Sequence, residues 1–425
     1  MGRKQFLLGI DGLPYNLIQK FIGDYGMYNL KELLNRGSCK AINSVYPVIS
    51  SVAWTSYATG QNPAYHNIFG FIDRQPRPFS IEIPTARQRR GKTIWQKLSE
   101  AGKKVIVMNV PLTYPPQKIN GIMVSCFLSP NLDKASYPQE ISQYLKDRHY
   151  ILDVDANLAR KDKMQFIIEL IRIMKTRFQV CFELIENEEW DFTQLHIMET
   201  DRLFHFLWDE LNDVSKNKYS PLIKEFFAVL DQNIGEMCRR LNNCSGITFL
   251  SDHGFCGIKY EVQMNLWLEE LGLLKFNEGG QKGFRSLHEE SICYSLLPGR
   301  FYINLEGREE KGVVKEEDYM DTCRMIKEKL LSMRDQDGNN VIDRVYFKDE
   351  IYSGPYLKDA ADIIAHPVDG YDLKSGFGEP YVFSRGHLNG MHTYENATVF
   401  STDLNLNDVY AITDISARLM EVMDG

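Results

Sequence analysis

The chain opens with a short apolar run, QFLLGI at 5–10, that stops at Asp11-Gly12. A run this short, ended by a turn dipeptide, predicts a buried strand rather than a helix. Apolar positions then recur at helical spacing around 14–22 and 28–36, the second stretch closed by Gly37. They do so again over 93–102, before KVIVMNV at 104–110 returns to the pattern of a buried strand. The alternation repeats with a long helical pattern across about 162–187, a strand at 191–198 (DFTQLHIM), helices near 201–212 and 220–241, and a strand at 246–251 (GITFLS). It predicts an α/β fold with a mostly parallel central sheet flanked by helices on both faces.

Between 261 and 380 the alternation loosens. A helix at 262–272, Gly-rich punctuation at 279–283, a strand at 301–305, a helix near 316–333 and short strands after 341 read as a smaller α+β insertion or cap. The expected organisation is therefore an α/β core made of 1–260 and 381–425, carrying the metal-binding and catalytic residues, with 261–380 inserted into it. No internal repeat or low-complexity tract interrupts the chain.

Composition narrows the class. With 425 residues, 44% hydrophobic and 25% charged, the chain can bury a sizeable core. A net charge of -8 and a pI near 5.7 give no long-range attraction for a polyanion, so extended nucleic acid is not an expected partner. A small phosphate-containing substrate would need local positive charge, which bound divalent metals supply. Eight cysteines, at 39, 126, 181, 238, 244, 256, 293 and 323, are scattered without a CxxC pair, the pattern of free thiols in a reducing compartment. The first apolar run is too short for a signal peptide, and no window reaches the roughly 18 apolar residues that span a bilayer. The expectation is a cytoplasmic protein without a membrane partner, in which the sequon Asn396-Ala397-Thr398 goes unused.

Three acidic residues share one context. Asp11 follows the strand 5–10, Asp201 follows 191–198 after a short turn, and Asp252 follows 246–251. Ligands of an open α/β sheet bind beyond the carboxyl ends of its strands, so the three carboxylates should converge. His205, four residues after Asp201, shares its face on a helix, and His253 adjoins Asp252 in the turn SDHGF. Singly, each has an ordinary explanation as a turn, a solvated helix face or a backbone cap. Mixed carboxylate and imidazole ligands suit zinc, and also manganese or iron. In PVISSVAWTSYATG at 47–60 a hydroxyl, from Ser50 or Ser51, stands at a helix N-terminus, where free N–H groups and the dipole favour a phosphate. From that window alone an N-cap serine is the simpler explanation.

In this order the fragments resemble the alkaline phosphatase superfamily, most closely its type I phosphodiesterase and nucleotide pyrophosphatase branch, including the predicted microbial phosphohydrolases and phosphomutases. They are GIDG at 9–12, SVAWTSYATGQNPAYHNIFGF up to 71, METDRLFH at 198–205, SDHGF at 251–255 and GMHTYENATVF at 390–400. GKTIWQKLSEAGKKVIVMNVPLTYPP at 91–116, NLWLEELGLL at 265–274 and PGRFYINLEGREEKGVV at 298–314 extend the likeness over nearly the whole chain. The resemblance implies two divalent metal ions, zinc or else manganese, with Asp201, His205 and His392 holding one. It gives the second to Asp11, Asp252, His253 and Ser50. Spacing from Thr59-Gly60 selects Ser50 over Ser51 as the nucleophile in that pattern, which implies a phosphoserine intermediate.

Two departures from the branch matter. Ala53 stands where the eukaryotic-type nucleotide pyrophosphatases place an Asn beside the phosphoryl group, and the nucleophile is Ser rather than their Thr. SSVAW lacks the Pro and Arg of sulfatases, which disfavours that activity. The resemblance implies hydrolysis of a phosphodiester or nucleotide pyrophosphate-type bond, in a nucleotide or sugar nucleotide among other small substrates. The rivals are a phosphomonoesterase or metal-dependent phosphomutase on the same ligands, and a metal-stabilised binding protein without catalysis. Trp54, Tyr57, Arg300 and Arg308 are candidates for substrate contact, although packing and structural roles are the simpler expectation. His66, His196 and His366 carry no assignment, and His387 could support His392 from the second shell of ligands.

Overall fold

The computed structural model describes residues 4–212, 217–241, 245–277, 279 and 281–424, the last without its side chain. Two compact units emerge: 1–61 with 85–255 and 392–425, and 62–84 with 256–391. The first is built on an eight-stranded sheet. Its strands, in chain order, are β1 (Lys4–Ile10), β2 (Ser38–Ile42), β3 (Val105–Met108), β4 (Gly121–Val124), β5 (Ser136–Tyr137), β6 (Phe192–Ile197), β7 (Ser245–Leu250) and β8 (Ala397–Ser401). They lie in the order β2-β8-β7-β1-β6-β3-β4-β5.

The five strands from β7 to β4 are mutually parallel, as the alternation of strand and helix requires. Every residue of β6 and β7 is buried, which is why both read as unbroken strands rather than alternating ones. β8 breaks the pattern. It enters antiparallel between β2 and β7.

Local chemistry sets the helices. Thr93 and Gln96 form a capping box that starts the helix Ile94–Glu100. The Asp162 carboxylate accepts from the Met164 and Gln165 N–H groups and opens the long helix Lys163–Asn187, against which Ser220–Leu241 packs. The helix α1 (Ser50–Thr59) is buried along its whole length and is ended by Gly60 at φ 69°, where a Cβ would lie 2.7 Å from Ser416 Oγ.

The second unit holds a four-stranded antiparallel sheet in the order Cys293–Leu296, Arg300–Ile303, Ile363–Pro367 and Ile342–Phe347, with the helix Tyr319–Leu331 beside it. Val262 and Gln263, expected to begin the helix 262–272, instead end the strand Tyr260–Gln263, which lies between Tyr371–Lys374 and Phe383–Ser384, and the helix starts at Met264. Pairing with segments more than a hundred residues away overrides the local helical pattern there. The seven cysteines among the described residues are free, and Cys244 lies outside those residues. No described helix is long and apolar enough to cross a membrane.

Candidate metal centre

Three neighbouring strands deliver the acidic residues. Ile10 of β1 lies opposite Ile197 of β6, and Gly9 opposite Leu250 of β7, so the strands end at one level and Asp11, the next helix and Asp252 follow from there. The helix α2 (Glu199–Asn212) carries Asp201 in its first turn and His205 one turn on. Thr200 fixes its start by donating to the Asp11 carbonyl at 2.6 Å. His392 comes from the strand Gly390–Thr393, just ahead of β8.

These residues form two groups, Asp201 with His205 and His392, and Asp11 with Asp252 and His253; within each, one ligand atom per residue lies within 4.8 Å of the others. In the first, His205 Nε2 is 3.2 Å and His392 Nε2 3.0 Å from Asp201 Oδ1. The His392 Nδ1 lies 3.3 Å from the Val48 carbonyl, which fixes the neutral tautomer with its proton on Nδ1 and a lone pair on Nε2. Burial pushes the Asp201 pKa up, but His205 and His392 outweigh this and hold it well below the carboxylate range. The remaining oxygen, Oδ2, faces Arg202 Nη1 at 3.5 Å, and Arg202 is itself paired with Asp153 at 2.7 Å.

In the second group His253 Nε2 lies 3.4 Å from Asp11 Oδ1 and 3.3 Å from Asp252 Oδ2. Its Nδ1 is 3.0 Å from the Gly254 carbonyl, the same arrangement as at His392. Asp252 Oδ1 accepts the Gly12 N–H at 3.3 Å, whereas the buried Oδ2 has no hydrogen-bond donor. Burial and the Asp11 charge push the Asp252 carboxyl well above its ordinary range. Burial alone would lower the His253 pKa, but Asp252 and Asp11 raise it to about 9. The field that draws a proton to His253 Nε2 would equally draw a metal cation to those atoms. Burial and the His253 charge take His392 the other way, to about 4.

The two groups adjoin, since the His253 and His392 rings stack with centroids 3.5 Å apart. Phe255 packs edge-on against both His205 and His392 and lies under Trp208, walling the imidazoles on the apolar side. Buried carboxylates faced by imidazole nitrogens, one carboxylate oxygen lacking any hydrogen-bond partner, are a donor set that divalent cations fit.

Ser50 completes the cluster. Ile49 is the N-cap of α1, and Ser50 is its first helical residue, so its hydroxyl is free of a capping role. Its Oγ lies 3.4 Å from Asp11 Oδ1 and 3.3 Å from His253 Nε2. The Ser51 Oγ is buried without a hydrogen-bond partner.

His196, unassigned in the sequence, lies 3.1 Å from Asp11 Oδ2. Trp54, considered for substrate contact, is buried and donates its indole N–H to the same oxygen at 3.2 Å. Tyr57 is also buried and donates to Gln194 Oε1. In the second unit Arg300 donates to the Ile72 and Leu297 carbonyls, and Arg308 pairs with Asp362 through two nitrogens at 2.6 and 2.7 Å. Both arginines hold the structure of that unit. His66 is buried and accepts the Ile68 N–H, His366 is buried, and His387 is exposed. The Val48 carbonyl, rather than His387, supports His392.

Comparison with known proteins agrees with this architecture. The family model described as type I phosphodiesterase / nucleotide pyrophosphatase matches residues 6–395. Phosphonoacetate hydrolase from Sinorhizobium meliloti 1021, in complex with phosphonoformate, superposes with a TM-score of 0.68 at 16% identity, covering 99% of this chain and 96% of that one. Murine ectonucleotide pyrophosphatase / phosphodiesterase 5, in an inactive form with AMP, gives a TM-score of 0.59 at 13% identity, covering 99% and 95%. The human counterpart gives 0.58 at 14% identity with the same coverage. No curated protein sequence matches significantly.

Proposed function

The chain belongs to the type I phosphodiesterase / nucleotide pyrophosphatase family of the alkaline phosphatase superfamily, hydrolases of phosphoric ester and anhydride bonds, and from that premise we propose a two-metal phosphodiesterase that works through a phosphoserine at Ser50. Asp201, His205 and His392 would hold one divalent cation and Asp11, Asp252, His253 and Ser50 the other. Zinc suits this mixed oxygen and nitrogen set, with manganese as the alternative. When bound, such cations favour the deprotonated form of a neighbouring hydroxyl and neutralise charge on a transferring phosphoryl group.

The chain's own part begins at α1. Val52 and Ala53 donate their N–H groups to the Ile49 carbonyl, and the Ser50 and Ser51 N–H groups ahead of them are the donors for phosphoryl oxygens. Ser50 Oγ forms a bond to phosphorus as the bond to the leaving oxygen breaks, giving a phosphorylated Ser50 that still carries the substrate's other substituent, and an alcohol or phosphate on which the Ser50 proton ends. Water then cleaves the bond between Ser50 Oγ and phosphorus, restoring the Ser50 hydroxyl and releasing the remaining phosphate ester as the second product. The observation that carries this reading is the Ser50 Oγ at the start of a buried helix, within 3.4 Å of both Asp11 Oδ1 and His253 Nε2.

The substrate we infer is a small phosphodiester or nucleotide pyrophosphate, with sugar nucleotides in the same class. Phosphonoformate and AMP in the structural neighbours are ligands of that size and charge. One observation favours a second reading, phosphomonoester hydrolysis or phosphomutase chemistry: Ala53 is fully buried and offers no amide to a phosphoryl oxygen. The free, largely buried thiols suit a reducing compartment, and we place the enzyme in the cytoplasm.

The deciding assay compares turnover of bis-p-nitrophenyl phosphate and p-nitrophenyl phosphate, with mass spectrometry of acid-quenched enzyme. Faster diester turnover and, from the diester, a p-nitrophenyl phosphoryl group on Ser50 are expected. Faster monoester turnover selects the second reading, and turnover by Ser50→Ala at the wild-type rate removes both.

A further inference from the structure

Asp11 is held differently at its two oxygens. Its Oδ2 receives the Trp54 indole N–H at 3.2 Å and faces His196 Nε2 at 3.1 Å, while Oδ1 faces Ser50 Oγ and His253 Nε2, each at 3.4 Å. His196 and Trp54 are both fully buried, and their rings meet edge to face with centroids 4.6 Å apart. The strand opposite makes room for them. A Cβ on Gly9 would lie 2.8 Å from Trp54 Cη2 and 2.9 Å from His196 Nδ1.

The geometry points to His196 and Trp54 as positioning residues that occupy Asp11 Oδ2 and thereby reserve Oδ1, the oxygen beside Ser50, for the cation of the Asp11–Asp252–His253 group. This rests on the proposed role of Asp11 as a metal ligand. A carboxylate free on both oxygens can rotate or chelate through both, and either movement shifts the cation relative to the nucleophile. The Trp54 N–H bond and the buried His196 nitrogen 3.1 Å away restrain that movement, because turning the carboxylate would strand the indole N–H and take the negative charge away from the ring. Trp54 lies one turn after Ser50 on α1, so the same helix that carries the nucleophile also orients the ligand beside it.

The test uses the full chain stripped of metal and titrated with zinc against a chromophoric chelator. The variants are Asp11→Ala, His196→Phe, His196→Gln and Trp54→Phe. Phe keeps the packing at 196 without a donor, whereas Gln retains an N–H at its tip. We expect His196→Phe to weaken one of the two zinc sites by roughly tenfold to a hundredfold, the other staying within about twofold. His196→Gln should recover most of the loss, and Trp54→Phe should weaken the same site, carrying the test by itself if His196→Phe does not fold. Unchanged zinc affinity in both Phe variants, or equal weakening of both sites, overturns the proposal. If Asp11→Ala itself keeps both sites, the metal-ligand reading fails; if it loses one and the Phe variants lose none, only the positioning role fails.

Discussion

His205 and His392 face each other through their Nε2 atoms at 3.0 Å. The Val48 carbonyl commits the His392 proton to Nδ1, so its Nε2 lone pair meets the other ring and Asp201 Oδ1 at the same point. With His205 Nε2 3.2 Å from the same oxygen, the carboxylate and the two ring nitrogens can meet at these distances only with positive charge, a proton or a cation, among them.

Metal removal should therefore destabilise the first unit as well as stop turnover. At a zinc concentration of about 100 times Kd, binding adds about 2.7 kcal/mol per site to the folded state. Melting followed with and without a chelator should show a clear drop in midpoint for wild type. For His392→Ala the drop should be smaller, and its turnover should fall by at least about a hundredfold. A chelator-insensitive midpoint in wild type would contradict the assignment.

Ser50 and Ser51 separate cleanly. Ser51 Oγ is buried with no partner, so Ser51→Ala removes an unsatisfied group and should keep turnover within a few-fold of wild type. Ser50→Ala should lower turnover by at least about 10³-fold while keeping zinc content near two per chain. The reverse ranking would move the nucleophile to Ser51.

Gly9→Ala tests the close approach at β1. The added methyl meets Trp54 and His196 below 3 Å, and neither side chain has space to withdraw from the core. Overpacking of this kind costs about 1–3 kcal/mol, read as a lower urea midpoint for the first unit. An unchanged midpoint would show that the two rings can shift.

Acid stability should report Asp362 in the second unit. Burial pushes its carboxyl up, but Arg308 and Lys348, with the Tyr319 hydroxyl, pull it down to about 2. A carboxyl held below its unfolded value stabilises the fold above pH ~4, and that contribution, on the order of 2 kcal/mol, fades as pH falls from ~4 towards ~2. Urea midpoints should drop through this window in wild type. Asp362→Asn should start lower, with Lys348 left without its carboxylate and Arg308 keeping only its pair with Glu309, and show a shallower acid slope. Equal slopes would assign the acid loss to other groups.

The strands, most helices and the acidic cluster were legible because each left a contiguous trace. Asp11 and Asp252 sit directly after apolar runs, and Asp201 and His205 share a helical spacing. His196 left none: a single histidine inside DFTQLHIM looks like any buried polar residue until β6 is registered against β1, which sets it beside Gly9. The support of His392 was illegible for a different reason, since a backbone carbonyl at Val48 has no residue signature. Tyr260–Gln263 took strand form through partners distant in sequence. Residues 62–84 join the second unit by contacts equally remote, such as Arg74 with Glu309.

The place of β8 in the sheet also dictates an order of events. Asp11, Ser50, Asp252 and His253 are all made once the ribosome has passed residue 253, and β1 and β7 pair directly in the folded sheet. The other group waits for His392, and β7 keeps an open edge until β8 arrives to fill it and to receive β2. During synthesis the residues of one proposed site are thus all made before those of the other, and the segment that brings His392 leads directly into the strand that seals the sheet.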